Sequence, residues 1–294
     1  DGFVSRGLGD VYKRQVLDIA GVDVLRPDIV DTDVIQRPAN QPRDDMAVIG
    51  ETLYVNNNRP EYKSILDKVE NKIIVEDCEQ KKLISTSFIH RLGSSLHWGT
   101  NRPGWRDSDL VKKYSRQWHA EGFDVDVMDN EGHGDCTWCV PKEGCIVTLF
   151  EIQNYKDKFP GWDICYLEDK YWDQMSPFRK VKQKNGGKWW VPGEEDSDEF
   201  SEYVETYLQD WVGYVEETVF EVNMLSIDEN TILVNNYNKQ VFDFLEKHKI
   251  APVIAPFRHR WFWDGGVHCV TQDLYRERNL SLIHISEPTR HESI

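Results

Sequence analysis

The stretch Asp45-Met46-Ala47-Val48-Ile49-Gly50-Glu51-Thr52-Leu53-Tyr54-Val55 decides the fold. Met46 to Gly50 reads as one strand and Thr52 to Val55 as a second, each short, apolar and rich in residues that suit a sheet. Pro60 to Val69 follows, with Ile65, Leu66 and Val69 on one helical face, and Ile73 to Val75 supplies a third strand. The unit is strand, strand, helix, strand.

The order recurs along the chain. From Asp135, the runs Cys136–Val140 and Cys145–Leu149 read as strands, Gln153–Phe159 as a short helix and Trp162–Leu167 as a strand. Phe220–Ile227 turns through Asp228-Glu229-Asn230 into Ile232–Val234. The helix Lys239–His248 and the strand Ala251–Pro256 complete that copy. A looser copy has Leu83–Ile89 as a strand, a helix Asp107–Glu121 capped by Asp107 and stopped by Gly122, then Val125–Met128. Insertions make the period vary over about 40–90 residues. The insert from Tyr171 to Ser197 holds Gly186-Gly187 and Glu194-Glu195-Asp196 and reads as a surface loop. Such units cannot bury their own faces alone, so they predict an array closed around a pseudo-axis.

The balance of 35 Lys and Arg against 51 Asp and Glu gives a net charge of −16, which argues against a nucleic-acid surface and suits a cationic ligand. No apolar run approaches the ~20 residues of a membrane span. Six cysteines in a chain this long do not make a disulfide scaffold, so a reduced, cytoplasmic setting is expected. Residues 5–15, SRGLGDVYKRQ, and 280–290, LSLIHISEPTR, are encoded by one adapter-like DNA sequence read on opposite strands. Residues 1–15 and 280–294 are therefore expected to be non-native tails around one domain, 16–279. Met is absent at position 1, so targeting is left open.

Two stretches carry chemistry. Asp264-Gly265-Gly266-Val267-His268-Cys269-Val270-Thr271 sets a cysteine behind two glycines and a histidine. His133-Gly134-Asp135-Cys136-Thr137-Trp138 supplies a histidine and a carboxylate two residues apart. A thiol nucleophile, an imidazole and a carboxylate suffice for covalent chemistry on a cationic carbon. Cys136-x-x-Cys139 with Cys145 invites a metal or redox reading. Strand alternation would send Cys136 and Cys139 to opposite faces, and no second Cys/His pair has finger spacing, so no metal or other cofactor is expected.

These segments resemble the amidinotransferase family, close in pattern to glycine amidinotransferase, within the arginine deiminase superfamily of guanidino-group-modifying enzymes. The resemblance rests on Val24-Leu25-Arg26-Pro27, Pro42-Arg43-Asp44 before Val48-Ile49-Gly50, His133-x-Asp135-x-Thr137 before Gly144-Cys145-Ile146-Val147, Asn223-Met224-Leu225-x-Ile227-Asp228-Glu229 and Gly265-Gly266-x-His268-Cys269-x-Thr271-x-Asp273. It covers most of residues 22–276 in order. It implies an α/β propeller of the pentein type, built of ββαβ modules with pseudo-fivefold symmetry. The first module would be truncated and the site would lie in the central cavity. It also implies transfer of an amidino group from a guanidine donor to an amine. Cys269 would attack the guanidinium carbon, Asp44 and Asp135 would grip its nitrogens, and His133 would move the proton. The partners implied are small molecules, and a homo-oligomer is compatible with the sequence. A deiminase, with water in place of the amine, and a catalytically silent guanidine-binding homologue are the alternatives.

The chain departs from the family pattern at three places. Ile84-Ser85-Thr86-Ser87-Phe88 lacks the acid that supports the catalytic histidine in the family. Ile152 stands where an arginine would hold a substrate carboxylate, and Glu216-Glu217 where two serines would help it. Glu216 and Glu217 are placed with the substrate-binding residues, and a guanidine without a carboxylate, such as agmatine, is expected to be preferred over arginine. His268 is placed there too, although strand alternation would turn it away from Cys269.

Overall fold

Each pair of apolar runs folds back as an antiparallel hairpin, and each third run returns parallel to the second after a helical crossover, as parallel pairing requires. The computed structural model describes residues 15–28, 41–100, 102, 104–129, 133–149, 155–167, 198–203, 220–255 and 265–275. Among them the unit occurs four times. The first comprises β1 (Met46–Ile49), β2 (Thr52–Val55), α2 (Lys63–Leu66) and β3 (Lys72–Ile74), preceded by one helical turn, α1 (Pro42–Asp45). The second has β4 (Ile89–Leu92), β5 (Ser95–Thr100), α3 (Asp109–Ala120) and β6 (Asp124–Asp129). The third has β7 (Trp138–Lys142), β8 (Cys145–Thr148), α4 (Tyr155–Lys158) and β9 (Asp163–Tyr166). A short helix, α5 (Asp198–Tyr203), precedes the fourth, which has β10 (Leu225–Ser226), β11 (Thr231–Val234), α6 (Lys239–Lys247) and β12 (Ala251–Ile254). The four three-stranded sheets share one topology, with the second strand in the middle. It pairs antiparallel with the first, as Met46 opposite Val55, and parallel with the third, as Leu53 opposite Lys72.

Middle strands are the most apolar because they are covered on both faces. Cys145, Ile146, Val147 and Thr148 of β8 are all buried. Neighbouring units share their cores. Ala47, Ile49 and Tyr54 of the first pack with Leu96, Trp98 and the α3 face Leu110, Val111, Tyr114 and Trp118 of the second. Leu92 of the second joins Trp138 and Ile146 of the third. Val147 of the third joins Ile232, Val234 and the α6 face Val241, Phe244 and Leu245 of the fourth. Among the described residues no helix is long and apolar enough to cross a membrane.

The second unit corrects the sequence reading. Leu83–Ile89 is not a strand: Glu79–Leu83 is a 3-10 helix, and Leu83, Ile84 and Phe88 are buried in the turns that follow. Apolar runs signal burial, and here the burial belongs to a packed loop. The cap of α3 is Ser108, whose side chain accepts from Val111 N, rather than Asp107. Gly122 does end the helix, at φ 93°, a left-handed conformation that glycine adopts at no steric cost. The helix expected over Pro60–Val69 is shorter, a 3-10 turn at Pro60–Tyr62 followed by α2. The strand expected from Cys136 begins at Trp138, after a 3-10 turn at Gly134–Cys136. The insert at 171–197 lies outside the described residues.

A lead-in segment precedes the first strand of every unit, and hydrogen bonds join these segments end to end. Ser87 N–H donates to Arg43 O at 3.3 Å and Gly134 N–H to Ser87 O at 2.7 Å. Asn223 Nδ2 donates to Asp135 O at 3.3 Å, and His268 N–H donates to Asn223 Oδ1 at 3.0 Å. Arg43 Nε donates to His268 O at 2.7 Å, so the last segment is tied to the first across 225 residues. Asparagines at the ends of middle strands brace this chain of contacts. Asn56 Nδ2 donates to Asp44 O at 2.8 Å and Ile84 O at 2.9 Å. Asn235 Nδ2 donates to Asn223 O at 2.6 Å, while its Oδ1 accepts from Val267 N at 2.8 Å.

Candidate active site

The lead-in segments bring their polar side chains to one buried place. Cys269, in the turn 267–270, is 2 % exposed, Asp135 is 2 % exposed and Asn223 is fully buried. The Cys269 Sγ lies 3.5 Å from Asp135 Oδ2. His268 Nδ1 lies 2.8 Å from the same oxygen. Asn223 Nδ2 donates to Cys269 Sγ at 2.9 Å. On the other side, His133 Nδ1 lies 3.5 Å from Asp44 Oδ1, and the His133 ring stands edge-on to Phe88 at 4.9 Å. One ring nitrogen of His133 is within 4.8 Å of an Asp135 oxygen. Cys269, His133, Asp135, Asp44 and His268 are thus all brought together. Glu216, Glu217 and Ile152 lie outside the described residues.

Strand alternation does not apply to His268. Residues 267–270 form a turn, with Val270 N–H bonded to Gly266 O at 3.2 Å, so His268 and Cys269 both reach Asp135. The same correction holds for Cys136. It precedes β7, and its Sγ donates to Asp135 Oδ1 at 3.6 Å. Cys139 and Cys145 lie in the shared core of the third and fourth units, where burial pushes their thiols up to about 12 and about 11. His133, Asp135 and Cys136 each offer one ligand atom, all within 4.8 Å of one another. Among the described residues this mixed nitrogen, oxygen and sulfur set is the one that could reach a single borderline ion such as zinc. It would compete there with anything that approached Cys269.

The charges of the site follow from its burial. Burial opposes ionisation of Asp135, but the hydrogen bond from His268, with the nearby His133, outweighs it and holds the carboxyl well below the usual carboxylate range. Burial lowers the pKa of His268, and the buried Arg43 guanidinium lowers it further, against the pull of Asp135 at 2.8 Å. Burial raises Asp44 to about 6, against the pull of His133. Its Oδ1 is buried and lies 3.5 Å from His133 Nδ1. The neighbouring Cys136 thiol favours the Cys269 thiolate, and the Asn223 amide adds to it. Burial and the charges of Asp135 and Asp44 prevail, and Cys269 is pushed up to about 11. The pocket therefore holds a protonated thiol beside one ionised carboxylate and one that ionises near pH 6.

Asn223 is not among the site residues that the sequence motifs single out. A positional signal does mark it. Asp44, Ser87 and Asn223 each stand two residues ahead of the first strand of their unit, and Asp135 stands three ahead. Gly266 is needed beside it. A Cβ there would lie 2.3 Å from Asn223 Oδ1 and 2.8 Å from Asn235 Nδ2, both held by the hydrogen bonds above. Gly266→Ala is expected to destabilise the protein by about 1–3 kcal/mol through overpacking. Chemical denaturation checks this, and an unchanged midpoint would show that the turn has room to give.

Neither a family model nor a curated protein matches the sequence. Solved structures do match its fold. The amidinotransferase SxtG of the saxitoxin biosynthetic pathway from Microseira wollei superposes with a TM-score of 0.64 at 15 % identity, over 92 % of this chain and 84 % of that one. The inosamine-phosphate amidinotransferase of Streptomyces griseus gives a TM-score of 0.64 at 16 % identity, over 93 % and 80 %. A dimethylarginine dimethylaminohydrolase, as its adduct with S-methyl-L-thiocitrulline, gives 0.54 at 13 % identity, over 89 % and 85 %. The chain therefore has the α/β fold that these amidinotransferases share with the dimethylarginine hydrolase.

Proposed function

We propose that this chain is an amidinotransferase of the pentein superfamily, working through a covalent amidino-cysteine at Cys269. The observation that carries the reading is the convergence on one pocket of a thiol, two carboxylates and a histidine drawn from three segments far apart in the sequence. Cys269 Sγ is 3.5 Å from Asp135, and the Oδ1 of Asp44 faces His133 at 3.5 Å. The chain of hydrogen bonds that returns from His268 to Arg43 supports the propeller arrangement expected of that superfamily. The likeness to the two amidinotransferase structures supports it at the level of fold.

A planar guanidinium has nitrogen donors that match carboxylate oxygens in pairs. Asp135, already ionised, and Asp44, ionised above about pH 6, would hold it against Cys269. The bound cation favours the thiolate, and the thiol proton passes to His133. Sulfur attacks the guanidinium carbon. The bond from that carbon to the leaving amine breaks as His133 returns the proton to the amine. The amine acceptor then attacks the amidino-thioether, loses a proton to His133 and returns the electron pair to sulfur. Asp44 would also serve as the acid beside His133 that the stretch Ile84–Phe88 does not supply. Ser85 and Ser87 bond each other at 2.8 Å, and Asp44 is the carboxylate beside His133.

The test is product analysis with arginine or agmatine as donor and a set of primary amines as acceptors. The expected result is a new guanidine on the acceptor and the parent amine of the donor. A ureido product and ammonia in place of transfer would make the chain a deiminase. Binding without either product would make it a silent homologue. Agmatine is expected to compete better than arginine, because Glu216 and Glu217 would repel a substrate carboxylate. If arginine wins and Glu216→Ser and Glu217→Ser leave the ratio unchanged, the substrate tail is read elsewhere.

A further inference from the structure

The side-chain amide of Asn223 is fixed at both ends. Its Oδ1 accepts from His268 N–H at 3.0 Å and from Cys269 N–H at 3.3 Å. Two backbone donors can be met only by the oxygen, which settles which way the amide lies. Nδ2 must then face the Cys269 sulfur at 2.9 Å and the Asp135 carboxylate at 3.4 Å. The residue cannot swing away. Its own carbonyl accepts from Asn235 Nδ2 at 2.6 Å, and Gly266 leaves the space its Oδ1 occupies. It is fully buried.

An N–H aimed at sulfur discriminates between the forms of that sulfur. A thiol is a weak acceptor, whereas a thiolate is an anion that takes a hydrogen bond as any anion does. A donor that bonds the charged form favours it. The carboxylates of Asp135 and Asp44 work the other way and favour the thiol. Something in the pocket must offset them if sulfur is to react.

We propose that Asn223 is a catalytic residue whose Nδ2–H stabilises the Cys269 thiolate. Its turn-bonded oxygen places that donor on the sulfur. The role in turnover rests on the amidino-cysteine reading, but the effect on the thiol does not. Asn223 takes the sulfur's charge when the thiol ionises and again when the amidino group leaves. The Cys136 thiol, which lies against Asp135 at 3.6 Å, favours the same thiolate.

Alkylation of Cys269 by iodoacetamide, followed by mass spectrometry at a fixed pH near 9, tests this without any substrate. Below the midpoint of thiol ionisation the rate follows the thiolate fraction, so raising that midpoint by one pH unit slows alkylation about tenfold. Asn223→Asp keeps the acceptor for the two backbone N–H groups and removes the donor. Its charge alone would slow alkylation, so Asn223→Leu, which removes the donor without adding a charge, is measured beside it and must slow as well. Alkylation of each is expected to be at least about fivefold slower than wild type. A structural role alone would loosen the pocket and speed the reaction, so an equal or faster rate overturns the proposal. Should either variant fail to fold, wild-type protein labelled with 15N-asparagine gives a second reading. The Asn223 side-chain amide resonance must move when Cys269 is alkylated, and an unmoved resonance overturns the contact. Slower alkylation with no amidino transfer would leave the thiolate role standing and reject the transferase reading.

Discussion

Cys269→Ser is expected to lower turnover by at least about 10⁴-fold while the protein stays folded, the scale seen when a covalent nucleophile is removed. The substitution replaces one buried sulfur by oxygen and alters little volume. The hydroxyl would sit in the same place, 3.5 Å from Asp135 in the parent geometry. It would fail for electronic reasons. Even the thiol is pushed up to about 11 here, and a serine hydroxyl is a far weaker acid in the same field. Cys136 cannot stand in for it. Cys136 also lies against Asp135, at 3.6 Å, but on the other carboxylate oxygen. Turnover and denaturation measured on one preparation separate loss of chemistry from loss of fold. Activity within tenfold of wild type would end the covalent mechanism.

Asp135→Asn carries the second large effect, on activity and stability together. The carboxylate accepts from His268 at 2.8 Å and lies beside Cys269 and His133. An amide keeps the shape but loses the charge that would hold the substrate cation and orient the imidazole. Loss of such an orienting carboxylate costs on the order of 10³–10⁴ in kcat/KM. Losing a buried hydrogen bond to a charged group costs about 1.5–3 kcal/mol. The sign of its pH dependence follows from the depressed carboxyl. Its stabilisation is complete above the ordinary unfolded carboxylate value, ~3.9, and is lost as pH falls toward the lower folded value. The gap in stability between Asp135→Asn and wild type is therefore expected to be full at pH 7 and to close below about pH 4. Denaturation midpoints at the two pH values check it. A gap that is constant with pH would mean that Asp135 is not held ionised by its partners.

The repeated unit is legible in the sequence because burial and periodicity agree in three of its four copies. Met46–Ile49 and Thr52–Val55 are apolar and fall where the pattern predicts strands. The second copy departs from the pattern for a physical reason. Its true strands carry His90, Arg91 and His97, which interrupt the apolar run. The apolar stretch ahead of them, through Leu83, Ile84 and Phe88, is buried in turns. The motifs name Cys269, His133, Asp135, Asp44 and His268, which meet in one pocket, but not the contacts among them. The motifs mark Asp44 as a grip for the substrate, whereas its contact with His133 depends on two units lying side by side. A strand rule turns His268 away from Cys269, and its turn does not obey that rule. Asn223 opens one of the quoted motifs, but the motif gives it no part in the site. Only its position relative to the strand, shared with Asp44 and Ser87, sets it on the ring of lead-in segments.

The central claim is that Cys269 forms a covalent bond to an amidino carbon. The direct measurement is mass spectrometry of the protein quenched in acid during turnover of a guanidine donor without acceptor. The account predicts a mass increase equal to one amidino group on the peptide containing Cys269, absent from Cys269→Ser and lost when an amine is added. Turnover of the donor with an unmodified Cys269 peptide at every quench time, or the adduct on another residue, would contradict it.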